Sequence, residues 1–387
     1  MPSPSDLAEE IPARIRRAQS LAGEAGCDAL LVMGRSFYDR PGNLAYLTNH
    51  FPPFPASVFD EEFRGLGHGI LLLPAHGEPV LITDPRGARR DLVPIADVRS
   101  AGDLVSSLAR AIRDRGLDRT VIGVVDDDIL PSAMERSLRD SFPGAEFRPV
   151  PGLLDVLRRI KSPREIAQLR DAAICADAGL MAAVEAIQRP GITEREVCAI
   201  GTAACLRAGA DFVRYFRVHS GPWSAVGSRW PPATDRPINA GEIVVLDAIG
   251  AVDGYGFDVN RTTVCGTPDD DTRVFLDAVD HATAAAVAAA VAGREASDIH
   301  RASCKAYEPS PWSGLVGSMV GHGLGIETVE LPYLTADATD TMLPGMVLCI
   351  EPGIFIAGER GAAIEQEVVI RDGGPPEILT PTPTKLW

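Results

Sequence analysis

The stretch VVLDAIGAVDGYGFDVN, residues 244–260, places Asp247 and Asp258 inside runs whose other members are core formers, with a glycine-rich turn between them. That pattern predicts a β-hairpin. A hairpin centred between Val252 and Asp253 sets the two aspartates directly opposite one another. Side chains so paired have Cβ atoms roughly 4.5–5.5 Å apart, where like charges are destabilising unless a cation neutralises them. The hairpin therefore predicts a cation site on one face of a sheet.

A second stretch, VLCIEPGIFIAGERGAAIEQEVVI, residues 347–370, repeats the arrangement. A turn centred on Gly358 brings Glu351 opposite Glu365, with Glu367 on the same strand face, and spacing alone does not choose between Glu365 and Glu367. Pro352 and Gly353 allow a bulge at this point. A nitrogen donor is available in GSMVGHGLGIETVELPYL, where His322 stands between Gly321 and Gly323, residues whose missing side chains let backbone approach a site. Two Asp, two Glu and one His make an oxygen-rich set with a single imidazole. Such a set suits Mn²⁺, Fe²⁺ or Co²⁺, with Zn²⁺ as an alternative, better than a thiolate-built structural zinc site. Four carboxylates carry charge enough for two divalent ions, which stand about 3.5–4 Å apart in two-metal hydrolytic sites. Singly, each residue has a plainer use: aspartate as turn former, glutamate as solvated strand end, histidine as hydrogen-bonded loop or core residue. The joint pattern points to metal.

The chain has 387 residues, beyond the comfortable size of one core, so two domains are expected. Apolar runs such as DALLVMG, GHGILLLPAHGEPVLIT and TVIGVVD alternate with helix-like segments such as AGDLVSSLARAIRDRG, predicting an α/β domain over residues 1–161. No GxGxxG or GxxxxGK[ST] follows any of these strands, which removes support for nucleotide binding. Ser162-Pro163 then reads as a cap and first-turn signal for a long amphipathic helix. From residue 162 to 387 helices alternate with strands in hairpin-like pairs, an α+β texture. A net charge of −16 repels phosphate backbones and anionic lipid, so nucleic acid and membrane are not expected partners. The seven cysteines show no CxxC spacing, and the N-terminal stretch has acidic residues and no apolar h-region. A reduced, cytoplasmic protein is expected.

Around these residues the sequence resembles the creatinase/aminopeptidase P/prolidase family, the pita-bread metallopeptidases of peptidase family M24. LDAIGAVDGYGFDVNRTT, GHGLGIE, IEPGIF and AIEQE stand in the family's order, against its GYxxDxTRT, GHGxG, EPGxY and RIED patterns. LRRIKSPREIAQLRDAA resembles its interdomain linker, and HSGPWSA its SGPNSA loop. The resemblance implies a creatinase-like N-terminal α/β domain and a pita-bread α+β catalytic domain. It selects Glu365 over Glu367 and implies that Asp247, Asp258, His322, Glu351 and Glu365 hold two divalent ions, Mn²⁺ foremost. The implied chemistry is attack by a metal-bridging hydroxide on a carbonyl or similar carbon, with Glu351 as proton shuttle. A short-peptide or other small-molecule substrate, cleaved at a C–N bond as by an Xaa-Pro dipeptidase or aminopeptidase P, and a homodimer, are implied as well.

The departures from the family pattern lie on the substrate side. Val329, ahead of Glu330, stands where the peptidases carry a second histidine, Ser228 where they have the LPH histidine, and Ala363 where they have the arginine of RIED. Each lost donor of this kind costs about 2.7–4 kcal/mol of transition-state binding. Arg217, His219, Trp223, Arg229 and Trp230 lie in or beside the same loop. An arginine with indoles holds a carboxylate or a cationic headgroup, and His219 is the candidate for a replacement acid or base. Two rivals to the peptidase reading follow: a lyase or non-peptide hydrolase on the same scaffold, like the fold's dimethylsulfoniopropionate lyases and ectoine hydrolases, and a non-catalytic binding protein.

Overall fold

Leu7, Ile11, Ile15, Ala18 and Ala22 recur at helical spacing, and all five are buried along one side of helix α1 (Pro4–Glu24). The computed structural model describes residues 4–53 and 64–387, and the chain divides into two compact units, Met1–Arg158 and Arg159–Trp387. In the first unit α1 is followed by β1 (Ala29–Arg35), α2 (Gly42–Thr48), β2 (His68–Pro74), β3 (Val80–Thr83), β4 (Asp97–Ser100), α3 (Leu104–Asp114), β5 (Val121–Val124), α4 (Ser132–Ser141) and β6 (Glu146–Pro149), with α5 (Asp155–Arg159) at its end. The sheet runs β4-β3-β2-β1-β5-β6. Its β1–β2 and β2–β3 pairs are antiparallel, while β3–β4, β1–β5 and β5–β6 are parallel. Central strands buried on both faces need helical cover, which is why β1 and β2 read as unbroken apolar runs. Leu31, Met33, Ile70 and Leu72 meet Leu108 and Ile112 of α3 in one core.

The second unit opens with α6 (Pro163–Ile187). Ser162 caps it: its hydroxyl accepts from the Glu165 amide while the Glu165 carboxylate accepts from the Ser162 amide, and Pro163 takes the first turn. There follow α7 (Glu194–Ala208), β7 (Phe212–Ser220), a short 3₁₀ turn at Gly221–Ala225, β8 (Ile243–Val252), β9 (Tyr255–Val264), α8 (Asp270–Ala289), α9 (Ala296–Tyr307), β10 (Met319–Gly323), β11 (Glu330–Thr335), β12 (Val347–Ile350), β13 (Gly353–Ile356), β14 (Arg360–Ala363), β15 (Gln366–Val369) and β16 (Glu377–Ile378). One sheet is β7-β8-β9, a second is β11-β10-β12-β15-β16, and β13 with β14 forms a separate ribbon.

Strand alternation decides what each face of β7-β8-β9 meets. Phe216, Val218, Leu246, Ala248, Phe257 and Val259 pack against Ala172, Ala176 and Leu180 of α6 and Cys205 of α7. Contact there is close enough that a Cβ on Gly201 would lie 2.4 Å from the Phe216 ring. Arg217, Asp247, Asp258 and Asn260 occupy the opposite face, away from those helices. Among the described residues no helix is long and apolar enough to cross a membrane.

Candidate metal centre

The β8–β9 hairpin forms, but its centre lies one position later than the sequence reading placed it. Asp247 pairs with Asn260, and Asp258 with Ile249. The turn residues are Asp253 and Gly254, both at positive φ (50° and 80°), as a two-residue type I′ turn requires. The expectation of directly opposed aspartates is thus corrected: the two are diagonal neighbours on one face, a spacing of roughly 7–8 Å between Cα atoms that side chains still bridge.

The second ribbon keeps the expected centre. Gly353–Ala363 through Ile356–Arg360 in β13–β14, and Val347–Val369 through Ile350–Gln366 in β12–β15, are all pairs about Gly358. Glu351 and Glu365 fall in the gap between the two ladders, where Pro352 offers no amide donor. His322 enters from β10, directly beside Cys349 of β12, which in turn pairs with Glu367 of β15. The glycines flanking His322 lie in close contact with neighbouring backbone. A Cβ on Gly321 would sit 2.1 Å from the Cys349 carbonyl oxygen, and one on Gly323 would sit 2.4 Å from that of Leu331. They admit the neighbouring strands.

Five elements thus converge. Ligand atoms of Asp247, Asp258 and Glu365 lie within 4.8 Å of one another, as do those of His322, Cys349 and Glu365, so two donor groups share Glu365. His322 Nε2 stands 3.4 Å from Glu351 Oε1 and 3.8 Å from Asp258 Oδ2. Its Nδ1 donates to the Gly323 carbonyl at 3.0 Å, which leaves Nε2 with the lone pair in the neutral ring. Both carboxylate oxygens of Glu365 are buried without a hydrogen-bond partner, as are Glu367 Oε2 and Asn260 Oδ1.

The electrostatics follow from burial and crowding. Burial, then the neighbouring Asp247 and Glu351 charges, lifts Asp258 well above the usual carboxylate range, and burial with Asp258 and Glu351 does the same to Glu365. Burial raises Asp247 to about 6 against the opposing pull of Arg217. Burial likewise raises Glu367 to about 8, although its Oε1 accepts from the Asp258 amide at 2.9 Å and Arg261 favours its charge. Burial disfavours the charged form of His322, yet the Glu351 carboxylate, the Gly323 carbonyl and Asp247 together outweigh it and the imidazole is raised. A buried carboxylate with no donor, facing two more and an imidazole lone pair, fits divalent cations and little else.

Residues 167–372 match the family described as "Metallopeptidase family M24", and residues 14–160 match the "Creatinase/Prolidase N-terminal domain". The chain belongs to metallopeptidase family M24. Among relatives of this M24 chain, the Xaa-Pro dipeptidase of Pyrococcus furiosus is 31% identical over 66% of the chain and 73% of its own length. The probable dipeptidase PepE of Mycobacterium tuberculosis is 30% identical over 79% and 81%. The solved Xaa-Pro dipeptidase from Bacillus anthracis superposes with a TM-score of 0.82 at 26% identity, covering 97% of this chain and 99% of that one. The second unit is the pita-bread fold of these metal-dependent hydrolases.

Around the M24 centre the remaining expected residues have distinct surroundings. Arg217, directly opposite Asp247 in β7–β8, places Nη1 2.8 Å from Asp247 Oδ2 and also donates to the Gly227 carbonyl at 2.9 Å. His219, two residues along the same strand face, donates from Nδ1 to the Val226 carbonyl at 2.9 Å, while its buried Nε2 has no partner. Burial, with Arg229 and Arg217 nearby, lowers its pKa to about 4, so it is neutral at neutral pH. Arg229 is committed to Glu194: that fully buried carboxylate receives Arg229, the Ser220 amide and hydroxyl, and the Thr234 amide and hydroxyl. The other side of Arg229 stacks on half-exposed Trp223, 5.2 Å from the ring centre. Glu330 is buried, 3.3 Å from Lys161 Nζ, and accepts from the Glu327 amide. Val329 and Ser228 are exposed and Ala363 is buried. Sequence reading missed Cys349 and Asn260. The signal was there: Cys349 lies two residues before Glu351 and Asn260 two after Asp258, the same-face period of a strand.

Proposed function

We propose that this chain hydrolyses the peptide bond of a short peptide, of the Xaa-Pro dipeptide class, at a two-metal centre formed by Asp247, Asp258, His322, Glu351 and Glu365. The observation that carries it is Glu365, whose two buried, unpartnered oxygens are shared between the Asp247–Asp258 and His322 groups. Bound divalent ions supply Lewis acidity and a water acidic enough to ionise near neutral pH. The donor set, oxygen-rich with one imidazole, favours Mn²⁺ over Zn²⁺. Asp247, Asp258, His322 and Glu365 are buried; Glu351, with 30% of its side chain exposed, is the one that reaches solvent. That exposure supports its role in moving the proton between attacking water and leaving amine. Neutral His219, with a free Nε2 lone pair, is suited to accept a hydrogen bond from substrate and not to donate a proton to it. A cytoplasmic homodimer is proposed with this reading.

Protein prepared without chelator should carry up to two transition-metal ions per chain and should cleave Xaa-Pro dipeptides. Asp258→Ala should abolish metal binding and turnover together. A chain that binds no metal under saturating Mn²⁺ would refute the proposal. A second reading, a non-peptide hydrolase or lyase on the same centre, is favoured by one observation: exposed Val329 and Ser228 present no imidazole where the resembling peptidases have two. A metal-loaded protein inert on the whole Xaa-Pro panel would select it.

A further inference from the structure

We infer that Arg217 is a resident cation of the Asp247–Asp258 metal position: it occupies Asp247 in the metal-free protein and weakens the hold on the ion that binds there. The inference rests on the two-metal reading above and concerns what competes with the ion at Asp247. The two donor groups share Glu365 but not their surroundings. His322 and Cys349 belong to one, with Glu351 3.4 Å from the imidazole, and no arginine or lysine nitrogen pairs with these groups among the described residues. Asp247 and Asp258 belong to the other, and there Arg217 already provides a full positive charge 2.8 Å from Asp247 Oδ2.

This arginine is not a passing surface contact. It faces Asp247 across the β7–β8 ladder, its side chain is 16% exposed and that of Asp247 8%, the Gly227 carbonyl receives the same Nη1 at 2.9 Å, and the guanidinium lies 4.5 Å from the centre of the Tyr215 ring. An ion arriving between Asp247 and Asp258 meets a carboxylate already neutralised and a like charge held close in a partly buried place. An ion arriving between His322 and Glu351 meets no guanidinium or ammonium. The Asp247 position therefore fills only as the guanidinium yields Asp247, and holds its ion more weakly than it would without Arg217.

Calorimetric titration of the chelator-stripped full chain with Mn²⁺ tests this. The wild type should show two unequal steps, and Asp247→Asn should lose the weaker step and keep the tighter one. Arg217→Gln, which keeps a donor for Gly227 but no charge, should tighten the weaker step by about tenfold or more, the order by which one neighbouring charge alters a carboxylate's proton affinity. Its tighter step should stay within about twofold, inside the context scatter of a single remote charge. Should the glutamine variant not fold, Arg217→Met, which removes the charge and keeps most of the length, should tighten the same step to a like extent. Two equal steps in the wild type, or a weaker step unmoved in Arg217→Gln, overturns the inference while leaving the two-metal reading intact. Absence of both steps in the wild type instead defeats the two-metal reading itself.

Discussion

Glu365 is the residue at which stability and metal binding oppose one another. Unpartnered and buried, its carboxyl is pushed well above the usual range in the metal-free protein, and Glu365→Gln puts a neutral side chain of the same shape in its place. The variant's metal-free unfolding free energy should change by less than about 1 kcal/mol, while the stabilisation on adding Mn²⁺ disappears; parallel urea melts with and without metal check both. The same acids give the metal-free protein a pH dependence of known sign. Glu367, held at about 8, keeps a proton that the unfolded chain gives up near its ordinary value, and raised His322 does likewise. Across pH ~6.5–8 the folded state binds more protons than the unfolded one, so stability falls as pH rises, by up to about 1.4 kcal/mol per pH unit for each proton retained. His219 and His50, both lowered to about 4 by burial, act in the opposite sense only below about pH 6.5, where the unfolded imidazole charges. Urea midpoints in chelator should decline through this window, and saturating Mn²⁺ should flatten the decline. A midpoint that rises with pH contradicts the assignment of these acids.

At the scale of elements, the hairpins show what sequence patterns settle and what they leave open. Alternation placed Asp247 and Asp258 on one face without needing the turn, because a strand's period of two survives a register error of two. The turn type decided the rest: Asp253-Gly254 takes both central positions, and the aspartates become diagonal. Gly254→Val should therefore cost about 1–2 kcal/mol through its positive φ, measured by urea denaturation, without changing metal stoichiometry in the folded protein. The Arg229 environment was illegible for a different reason. Its partner Glu194 lies at the start of α7, and only the fold brings α7, the end of β7 and Thr234 around one buried carboxylate. Arg229→Met should destabilise by about 3–5 kcal/mol, the cost of stranding a buried charge, and Glu194→Gln in the same chain should restore part of it. A fall in substrate affinity with unchanged melting would assign Arg229 to substrate instead.

For the whole molecule, the resemblance and the patterning anticipated both folds, whereas α2 and α4 were not singled out, being short helices whose apolar stripes span few turns. Ligand linkage offers a global test. Metal at about a hundred times its dissociation constant should stabilise the chain by about 2.7 kcal/mol. The added amide-exchange protection should concentrate in Ile243–Val264, Met319–Gly323 and Val347–Val369, the strands that carry the donors. Protection spread evenly over Met1–Arg158 as well would speak against a local origin. The shared pairing centre of β12–β15 and β13–β14 carries a last consequence, for how this chain can vary. Because a single offset serves both ladders, residues gained or lost along either arm would slide one glutamate past the other and scramble two sheets at once. Only the tip at Ala357–Glu359 is free to grow or shrink, so that tip is where a peptide tag or a foreign loop can be grafted while the centre stays assembled.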